Sequence, residues 1–336
     1  MEKAFDMTQR YGIKIVGTGS YVPSRVLTNA ELEKMVDTTD EWIRTRTGIE
    51  ERHIAADNEP CSALAEQACL RALEAAGMTP EEVDLIIVAT FTADAPLPNT
   101  ACFVQKRIGA TNAVCFSMEA ACSGFVYAMT VAAGLLRSGG FRNALVVGSE
   151  KISSMVDWTD RNTCVLFGDG AGAVVLKRVD AAHDSLRAFK LGADGRYTDL
   201  LQCPAGGSAM PVTPEVLAGH LNTIKMEGRE VFKLAVNAMV GASQDVLKQG
   251  GVSIDQVRWV IPHQANMRII SSVGKYLGVP DEKVYVNLQR YGNTSAASIP
   301  LALDELARSG QIKDGDHLVL TAFGGGLTWG AILLKW

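Results

Sequence analysis

The sequence predicts an α/β protein built from two copies of one unit, and three observations support this prediction. The chain has 336 residues, more than a single hydrophobic core ordinarily serves. Continuous apolar runs such as DLIIVAT and HLVLTAF predict strands that are buried on both faces of helix-covered sheets. Similar segments also recur in the same order about 170 residues apart. We therefore expect two sheets with helices between them and outside them.

The repeat consists of four pairs of matching segments. Residues 72–89 match residues 246–263 at an offset of 174. Each segment has a helix that ends at a glycine, followed by a capping box and an apolar run. The helix ending at Gly139 matches the helix ending at Gly310 at an offset of 171. GAVVL resembles GAILL, and KIVGTGSY resembles KLGADGRY. Four matches in one order indicate a duplication.

The duplication divides the chain into an N-terminal half, residues 1–180, and a C-terminal half, residues 181–336. Alanine-rich segments such as SALAEQACLRALEAAG and SGFVYAMTVAAGLLRSG predict helices with small side chains. Small side chains permit close packing, so we expect these helices to form a central layer between the sheets.

Composition excludes several classes of protein. The net charge of -5 and a pI of about 5.6 argue against nucleic acid as the main partner. MEKAFDMTQR lacks the apolar stretch of a signal peptide, and the apolar runs are too short to cross a membrane. The 7 cysteines are scattered without a CxxC pair. Neither a disulfide framework nor a metal site is indicated, and we expect a reducing cytoplasm.

The repeat also indicates where a reaction centre could lie. At the offset of 171, Cys122 stands opposite Asn293, each where a strand passes through a turn into a helix. At the offset of 174, His263 follows a strand of the second half, opposite Ala89. A thiol, an amide and an imidazole at such positions predict a site formed between the two halves.

A helix entrance suits a nucleophilic cysteine. The first N–H groups of a helix lack acceptors and its dipole is positive there, so we expect the pKa of Cys122 to lie below about 8.5. The same N–H groups can stabilise an oxyanion. Taken singly, Cys122 would be a small buried apolar residue, His263 a structural histidine and Asn293 a turn residue. Their joint placement favours catalysis.

The motifs AACSGF, PHQAN, GNTSAAS, FGDGAGAVVL and FGGGLTWG resemble those of β-ketoacyl-(acyl-carrier-protein) synthase III, and the resemblance covers nearly the whole chain. It implies the thiolase fold, a duplicated five-layered α/β/α/β/α arrangement with two mixed sheets. It also implies a homodimer that uses acyl-CoA and malonyl-acyl-carrier protein as substrates, without a cofactor or metal. The expected activity is the condensation that initiates fatty-acid synthesis.

The resemblance assigns the catalytic roles. It implies that Cys122 accepts the acyl group as a thioester, and that His263 and Asn293 hold the malonyl thioester oxygen while CO2 leaves. A second oxyanion hole is implied to pair the Cys122 N–H with the N–H of Gly325.

Binding residues are implied in the same way. Trp42 and Arg161 are expected to sandwich the CoA adenine, Arg46 to contact the phosphates and Asn266 to face the pantetheine arm. Without the resemblance, the spacing of Trp42 and Arg46, four residues apart, predicts only a packing contact on a helix surface.

A basic surface is implied to receive the acyl carrier protein, through Lys233 and Arg268 with Arg229 beside them. If KMEGREVFK is helical, Lys225 joins Arg229 and Lys233 in one basic stripe, although a solvated helix face is the ordinary explanation of such spacing.

The acyl pocket is implied to involve Phe167 and Leu97, the latter reaching across the dimer. Leu97 is smaller than the aromatic residue of some relatives, which favours primers longer than acetyl. Residues 202–220, rich in Pro and Gly, predict a flexible loop near the entrance.

Three alternatives remain. A related condensing enzyme of polyketide or signalling-molecule synthesis could use another starter. A cysteine hydrolase would share the order Cys, His, Asn, but the context of Cys122 is unlike that of a papain-like protease. A catalytically silent scaffold would not need all three residues.

Overall fold

The structure is a computed structural model that describes residues 11–336. The segment 1–10, for which the sequence predicts no signal peptide, lies outside the described residues. Within residues 11–336 the strands are β1 (Tyr11–Tyr21), β2 (Arg25–Thr28), β3 (Glu51–Ile54), β4 (Leu85–Ala89), β5 (Val114–Met118), β6 (Asn143–Glu150), β7 (Gly170–Asp180), β8 (Leu186–Ala193), β9 (Leu201–Gln202), β10 (Lys225–Met226), β11 (Val257–Pro262), β12 (His317–Gly324) and β13 (Thr328–Lys335).

The helices of the same range are α1 (Asn29–Leu32), α2 (Asp40–Thr47), α3 (Cys61–Ala76), α4 (Thr100–Ile108), α5 (Gly124–Arg137), α6 (Pro214–Ala218), α7 (Gly228–Gly250), α8 (Met267–Leu277), α9 (Leu288–Tyr291) and α10 (Ser298–Arg308). Short 3-10 turns join them at Pro80–Glu82, Ala121–Ser123, Ile152–Met155, Ala181–His183, Gly195–Leu200, Ile254–Gln256, Asp281–Lys283 and Ser295–Ala297. No helix in the described part of the chain is long and apolar enough to span a membrane.

Two mixed sheets repeat one topology. The first has the order β1-β7-β6-β4-β5, and the second has the order β8-β13-β12-β11. In both sheets the first three strands are antiparallel neighbours, and the third and fourth strands are parallel. β5 continues the first sheet in parallel, and in the second sheet a single parallel bridge between Val260 and Val284 stands in its place. The repeated topology supports the duplication.

The elements form five layers. α5 and α10 lie between the two sheets, where Phe125 and Ile299 pack in one core with residues of both sheets, such as Ile87 and Leu320. α3 and α4 cover the outer face of the first sheet. α7 and α8 cover the outer face of the second sheet. The predicted α/β/α/β/α arrangement is therefore confirmed.

The alanine-rich segment 61–76 lies in a different layer from the one that its composition predicted. It forms α3, which belongs to the outer layer, whereas α5 lies in the central layer as expected. Its small side chains serve the close packing of α3 on β1. A Cβ added to Gly17 would lie 2.3 Å from the carbonyl oxygen of Ala72, so the strand needs glycine there.

The offset that relates the two halves also requires a correction. The helices α5 and α10 begin at residues 124 and 298, and β6 and β12 begin at residues 143 and 317, so both pairs lie 174 residues apart. The offset of 171 holds only for the ends of α5 and α10, because α10 is three residues shorter. Cys122 therefore corresponds to Ala296, and Asn293 corresponds to Glu119. The predicted equivalence of Cys122 and Asn293 is wrong.

Local signals at the helix ends are confirmed. Gly77 and Gly251 end α3 and α7 in the left-handed conformation. The capping boxes of Thr79 with Glu82 and of Ser253 with Gln256 are both formed. The boundary between residues 180 and 181 stays a prediction; β7 ends at Asp180, and β8 begins in the second sheet.

Candidate active site

Cys122 lies in a strained turn between β5 and α5. The turn is a 3-10 segment that continues directly into α5, and Ala121 adopts φ 45°, which non-glycine residues rarely do. Only 9% of Cys122 is exposed, and this residue lines a cavity of about 1350 Å³. The sequence thus places a thiol at a helix entrance that opens into a cavity.

His263 follows β11 and is held on both sides. Its backbone N–H donates to the carbonyl of Thr321 at 2.8 Å. Its Nδ1 lies 2.7 Å from the Oγ of Ser298, which also accepts the N–H of Gln264 at 3.3 Å. The Ser298 hydroxyl can either donate to Nδ1 or accept from it; when it donates, the ring proton lies on Nε2. Burial lowers the pKa of His263 to about 3, so the ring is a neutral donor.

Asn293 is fixed by its backbone and by its side-chain oxygen. Its N–H donates to Leu166 at 2.8 Å, and its carbonyl accepts from Gly168 at 3.1 Å. Its Oδ1 accepts the N–H of Ser295 at 2.9 Å. The amide NH2 is left as a donor, and Asn293 lines the same cavity as Cys122.

The three residues therefore share one cavity, which holds a thiol and two neutral hydrogen-bond donors. Such donors can stabilise negative charge that develops on a carbonyl oxygen without having to release a proton. The arrangement suits a reaction in which a thioester is formed on sulfur and an enolate is formed on a second substrate.

The expected low pKa of Cys122 is contradicted. Burial, with smaller contributions from Glu150 and Glu119, raises the pKa of this thiol to about 12, against the lowering effects of Ser295 and the Cys122 N–H. The helix-entrance argument failed because it considered only the N–H groups. The sulfur is buried near acidic side chains, so Cys122 rests as a thiol.

A glycine turn lies beside Cys122. A Cβ added to Gly324 would lie 2.6 Å from the backbone nitrogen of Cys122, so only glycine permits this approach. The next residue, Gly325, lines the cavity. The glycine turn thus runs along the Cys122 N–H, where the sequence expects the second oxyanion hole; the assignment of Gly325 as its donor stays a prediction.

Trp42 lies between two arginines, of which Arg46 lines the cavity together with Trp42. The guanidinium of Arg161 lies 4.8 Å from the Trp42 ring centroid, and that of Arg46 lies 5.8 Å from it. A purine between Trp42 and Arg161 needs about 7 Å, twice an ordinary contact distance. Arg161 would therefore have to move for the expected adenine sandwich to form.

Asn266 makes structural hydrogen bonds. Its Oδ1 accepts the N–H of Arg268 and caps α8, and its Nδ2 donates to the carbonyl of Arg46 at 3.1 Å. It joins α8 to α2 while lining the cavity, and its contact with pantetheine stays a prediction.

The basic residues surround the same cavity, although not as one stripe. α7 begins at Gly228, so Lys225 lies on β10 and the predicted three-residue stripe is wrong. Arg229 and Lys233 lie on α7, and Lys233 pairs with Glu230 at 3.3 Å. Arg268 and Arg229 make no ion pair within residues 11–336, which leaves both charges available.

The two residues expected in the acyl pocket differ. Phe167 lines the cavity, next to its backbone bridge with Asn293. Leu97 is 86% exposed and lies outside the cavity of its own chain. From the predicted loop 202–220, Gln202 and Cys203 reach the cavity, and residues 214–218 form the short helix α6.

Sequence reasoning missed three side chains around the site: Glu119, Glu150 and Ser298. Ser298 and Glu150 carry no local signal, because each acts through contacts between distant segments. Glu119 could have been found from the correct offset of 174, which places it opposite Asn293. No group of metal-ligating side chains occurs in the described part of the chain.

The comparisons with known proteins agree on one family. A model of 3-oxoacyl-[acyl-carrier-protein] synthase III matches residues 116–195, and the model of its C-terminal part matches residues 247–336. The β-ketoacyl-[acyl-carrier-protein] synthase III of Caldanaerobacter subterraneus is 51% identical over 330 residues, 98% of this chain and 99% of the relative. That of Desulfitobacterium hafniense is 53% identical over 324 residues, 96% of this chain and 98% of the relative.

Solved structures agree as well. The crystal structure of 3-oxoacyl-[acyl-carrier-protein] synthase III from Aquifex aeolicus is 50% identical, with a TM-score of 0.89 over 97% of this chain and 100% of that one. The priming β-ketosynthase of the R1128 polyketide biosynthetic pathway is 36% identical, with a TM-score of 0.91 over 99% of this chain and 98% of that one.

Proposed function

The chain belongs to the β-ketoacyl-[acyl-carrier-protein] synthase III family, and on that basis we propose how its residues divide the condensing reaction. The enzyme is an acyltransferase that joins an acyl-CoA primer to malonyl-acyl-carrier protein at the start of fatty-acid synthesis. The observation that carries the proposal is the presence in one cavity of a thiol, Cys122, and two neutral donors, His263 and Asn293.

The first half-reaction acylates Cys122. Its sulfur attacks the acyl-CoA carbonyl, and the N–H groups of Cys122 and Gly325 hold the oxyanion. When the intermediate collapses, the bond from carbon to the CoA sulfur breaks and CoA leaves as a thiol with the cysteine proton. This transfer of the proton to the leaving group removes the need for a stored thiolate, which agrees with the raised pKa of Cys122.

The second half-reaction uses the donors of the C-terminal half. His263 Nε2–H and the Asn293 NH2 bind the malonyl thioester oxygen, and the bond to the carboxylate breaks to release CO2. The resulting enolate carbon attacks the Cys122 thioester. A carbon–carbon bond forms, the carbon–sulfur bond breaks, and the sulfur takes up one proton. The product is a β-ketoacyl-acyl-carrier protein.

CoA and carrier protein are assigned to the surfaces around the cavity mouth. Trp42, Arg161, Arg46 and Asn266 would hold CoA, with Arg161 moving off Trp42 to admit the adenine. Arg268, Lys233 and Arg229 would receive the acidic carrier protein, since local charge and not net charge governs encounter. The free guanidinium groups of Arg229 and Arg268 support this assignment.

A homodimer completes the proposed assembly. β5 is the outermost strand of the first sheet, and an uncovered edge strand is a template for pairing with another chain. Val114 at its start is 54% exposed, and Leu97 nearby in sequence is 86% exposed. We assign Leu97 to the acyl pocket of the partner subunit, in a cytoplasm that keeps thiols reduced.

A second candidate differs only in its starter. The likeness to the R1128 priming β-ketosynthase favours a condensing enzyme of polyketide synthesis with a larger primer. The same chemistry serves both, so the primer decides between them.

One experiment tests the function. The protein is incubated with acetyl-CoA, isobutyryl-CoA, butyryl-CoA and hexanoyl-CoA in turn, each with malonyl-carrier protein, and the products are identified by mass. We expect β-ketoacyl-carrier protein with short straight or branched primers and none from the Cys122→Ala variant. A preference for hexanoyl-CoA would favour the polyketide candidate. Acylation of Cys122 without any condensation product would contradict both.

A further inference from the structure

The turn that holds Cys122 has a counterpart in the other half of the molecule. Residues 119–123 and 293–297 lie 174 positions apart, and each precedes a central helix. Ala121 has φ 45° and Ser295 has φ 51°. In each turn the N–H of that residue donates to the side chain two positions earlier, to Glu119 Oε1 at 2.8 Å or to Asn293 Oδ1 at 2.9 Å.

Glu119 therefore stands in the first half where Asn293 stands in the second. Both side chains line the cavity. Asn293 must also donate a hydrogen bond to substrate in the proposed function, which requires an amide. The first half needs only an acceptor at this position, because the nucleophile follows three residues later. A carboxylate meets that need.

The acceptor matters because the turn is strained. A left-handed conformation costs a non-glycine residue about 1–2 kcal/mol, and Ala121 has no side chain of its own to satisfy its N–H. The turn is also held by Thr328, whose Oγ1 donates to the carbonyl of Ala120 at 2.9 Å, and by the N–H of Ser123, which donates to the same carbonyl at 3.0 Å. These bonds fix the carbonyl side of the turn, and Glu119 fixes its N–H side.

We propose that Glu119 is a positioning residue for the nucleophile: its carboxylate holds the left-handed turn that presents the Cys122 thiol and N–H to the acyl-CoA carbonyl. The proposal rests on the proposed role of Cys122. It has a second consequence, because the same carboxylate is negatively charged and opposes formation of a thiolate. The acidic side chains that act on Cys122 are Glu150 and Glu119; burial favours the protonated form of Glu150, and His263 is neutral.

Three variants separate the hydrogen bond from the charge. Glu119→Gln keeps an acceptor oxygen and removes the charge, and Glu119→Ala removes both. The double variant Glu119→Ala with Ala121→Gly removes the acceptor but places glycine, which adopts a positive φ without strain, in the turn. Each is measured by its single-turnover rate of acylation by acyl-CoA, by the rate of iodoacetamide alkylation of Cys122 against pH, and by thermal unfolding.

The expected pattern is specific. Glu119→Ala should slow acylation roughly 5- to 30-fold, the range that the strain of a left-handed alanine allows. Glu119→Gln should stay near the wild-type rate, and the double variant should recover most of the loss. Alkylation at a given pH should become a few-fold faster in both single variants, because both lose the charge.

Several results would overturn the inference. If wild-type Cys122 is acylated and Glu119→Ala acylates at the same rate, the turn does not need its acceptor. If Glu119→Gln is as slow as Glu119→Ala, or glycine gives no recovery, the effect does not come from the hydrogen bond to Ala121. Failure of the wild-type protein to be acylated at all would overturn the proposed function together with the inference.

Discussion

At the scale of single residues, the proton on His263 is placed by its neighbour. The Oγ of Ser298 accepts the N–H of Gln264 and lies 2.7 Å from Nδ1 of the imidazole. When the hydroxyl donates to Nδ1, the ring proton lies on Nε2, where the proposed oxyanion needs it. A ring with the opposite tautomer would present a lone pair to the enolate oxygen and would repel it.

Replacing Ser298 therefore should affect only the second half-reaction. We expect Ser298→Ala to slow condensation by about tenfold, the effect of losing one buried hydrogen bond of roughly 1–1.5 kcal/mol, while acylation of Cys122 is unchanged. Rapid-quench measurement of both half-reactions checks this. Ser298→Thr keeps the hydroxyl and serves as the matched variant. Equal slowing of acylation and condensation would show a general structural defect instead.

Glu150 is a buried carboxyl that should make stability depend on pH. It is fully buried and accepts hydrogen bonds from Thr90 and Thr92, and burial raises its pKa to about 8 from 4.5. Because the pKa of Glu150 is higher in the folded than in the unfolded protein, Glu150 is protonated in the folded protein and ionised in the unfolded protein between these two pKa values. Stability should therefore fall as the pH rises from about 4.5 to about 8.

Glu150→Gln removes this dependence. From pH 5 to pH 8, the wild type should lose on the order of 3 kcal/mol more unfolding free energy than the variant does. Denaturant unfolding of both proteins at both pH values checks this. Subtracting the wild-type free energy from that of the variant at each pH removes the contribution of all other titrating groups. An equal difference at pH 5 and pH 8 would mean that Glu150 stays ionised in the folded state.

At the scale of elements, helix entrances were predictable from sequence but their environment was not. Glycine ends and capping boxes are local, so α3, α7 and their following turns follow from short patterns. The pKa of Cys122 depends first on burial and then on Glu150 and Glu119, which come from a strand end and a preceding turn. Likewise, α10 is shorter than α5, which shifted the alignment by three residues and hid the correspondence of Glu119 and Asn293.

The basic residues on α7 and α8 allow a test of carrier-protein docking. Reversing charge at Lys233 and Arg268 together should raise the KM for malonyl-carrier protein about tenfold and leave the KM for acyl-CoA within about twofold, because a folded acidic partner senses the patch through its charge. Lys248→Glu, at the exposed far end of α7, is the matched control. The effect should shrink in high salt.

The contradicting outcomes are equally clear. Equal changes in both KM values would mean that the two residues serve CoA, or serve the cavity itself. A Lys248→Glu variant as defective as the double variant would mean that net charge matters and not the position of the charge.

At the scale of the whole molecule, the duplication explains both the length of the chain and the location of the site. Two helix-covered sheets follow from patterns that the sequence displays: continuous apolar strands, and helices with small residues. The five layers were implied by the family resemblance, and the strand order did not follow from periodicity. The layer to which α3 belongs did not follow, because composition does not say which face of a sheet a helix covers. The residues around Cys122 come from both copies, so the cavity exists only where the copies meet.

The central claim is that the N-terminal half carries the acyl group and the C-terminal half activates the malonyl group. The most direct test is a single-turnover experiment followed by intact mass, in which acyl-CoA is added first and malonyl-carrier protein second, to wild type and to His263→Ala. We predict that both proteins become acylated on Cys122. Wild type then transfers the acyl group to product, whereas His263→Ala keeps it, with transfer slowed roughly 100- to 1000-fold. Transfer by His263→Ala at the wild-type rate, or acylation on another cysteine, would contradict the account.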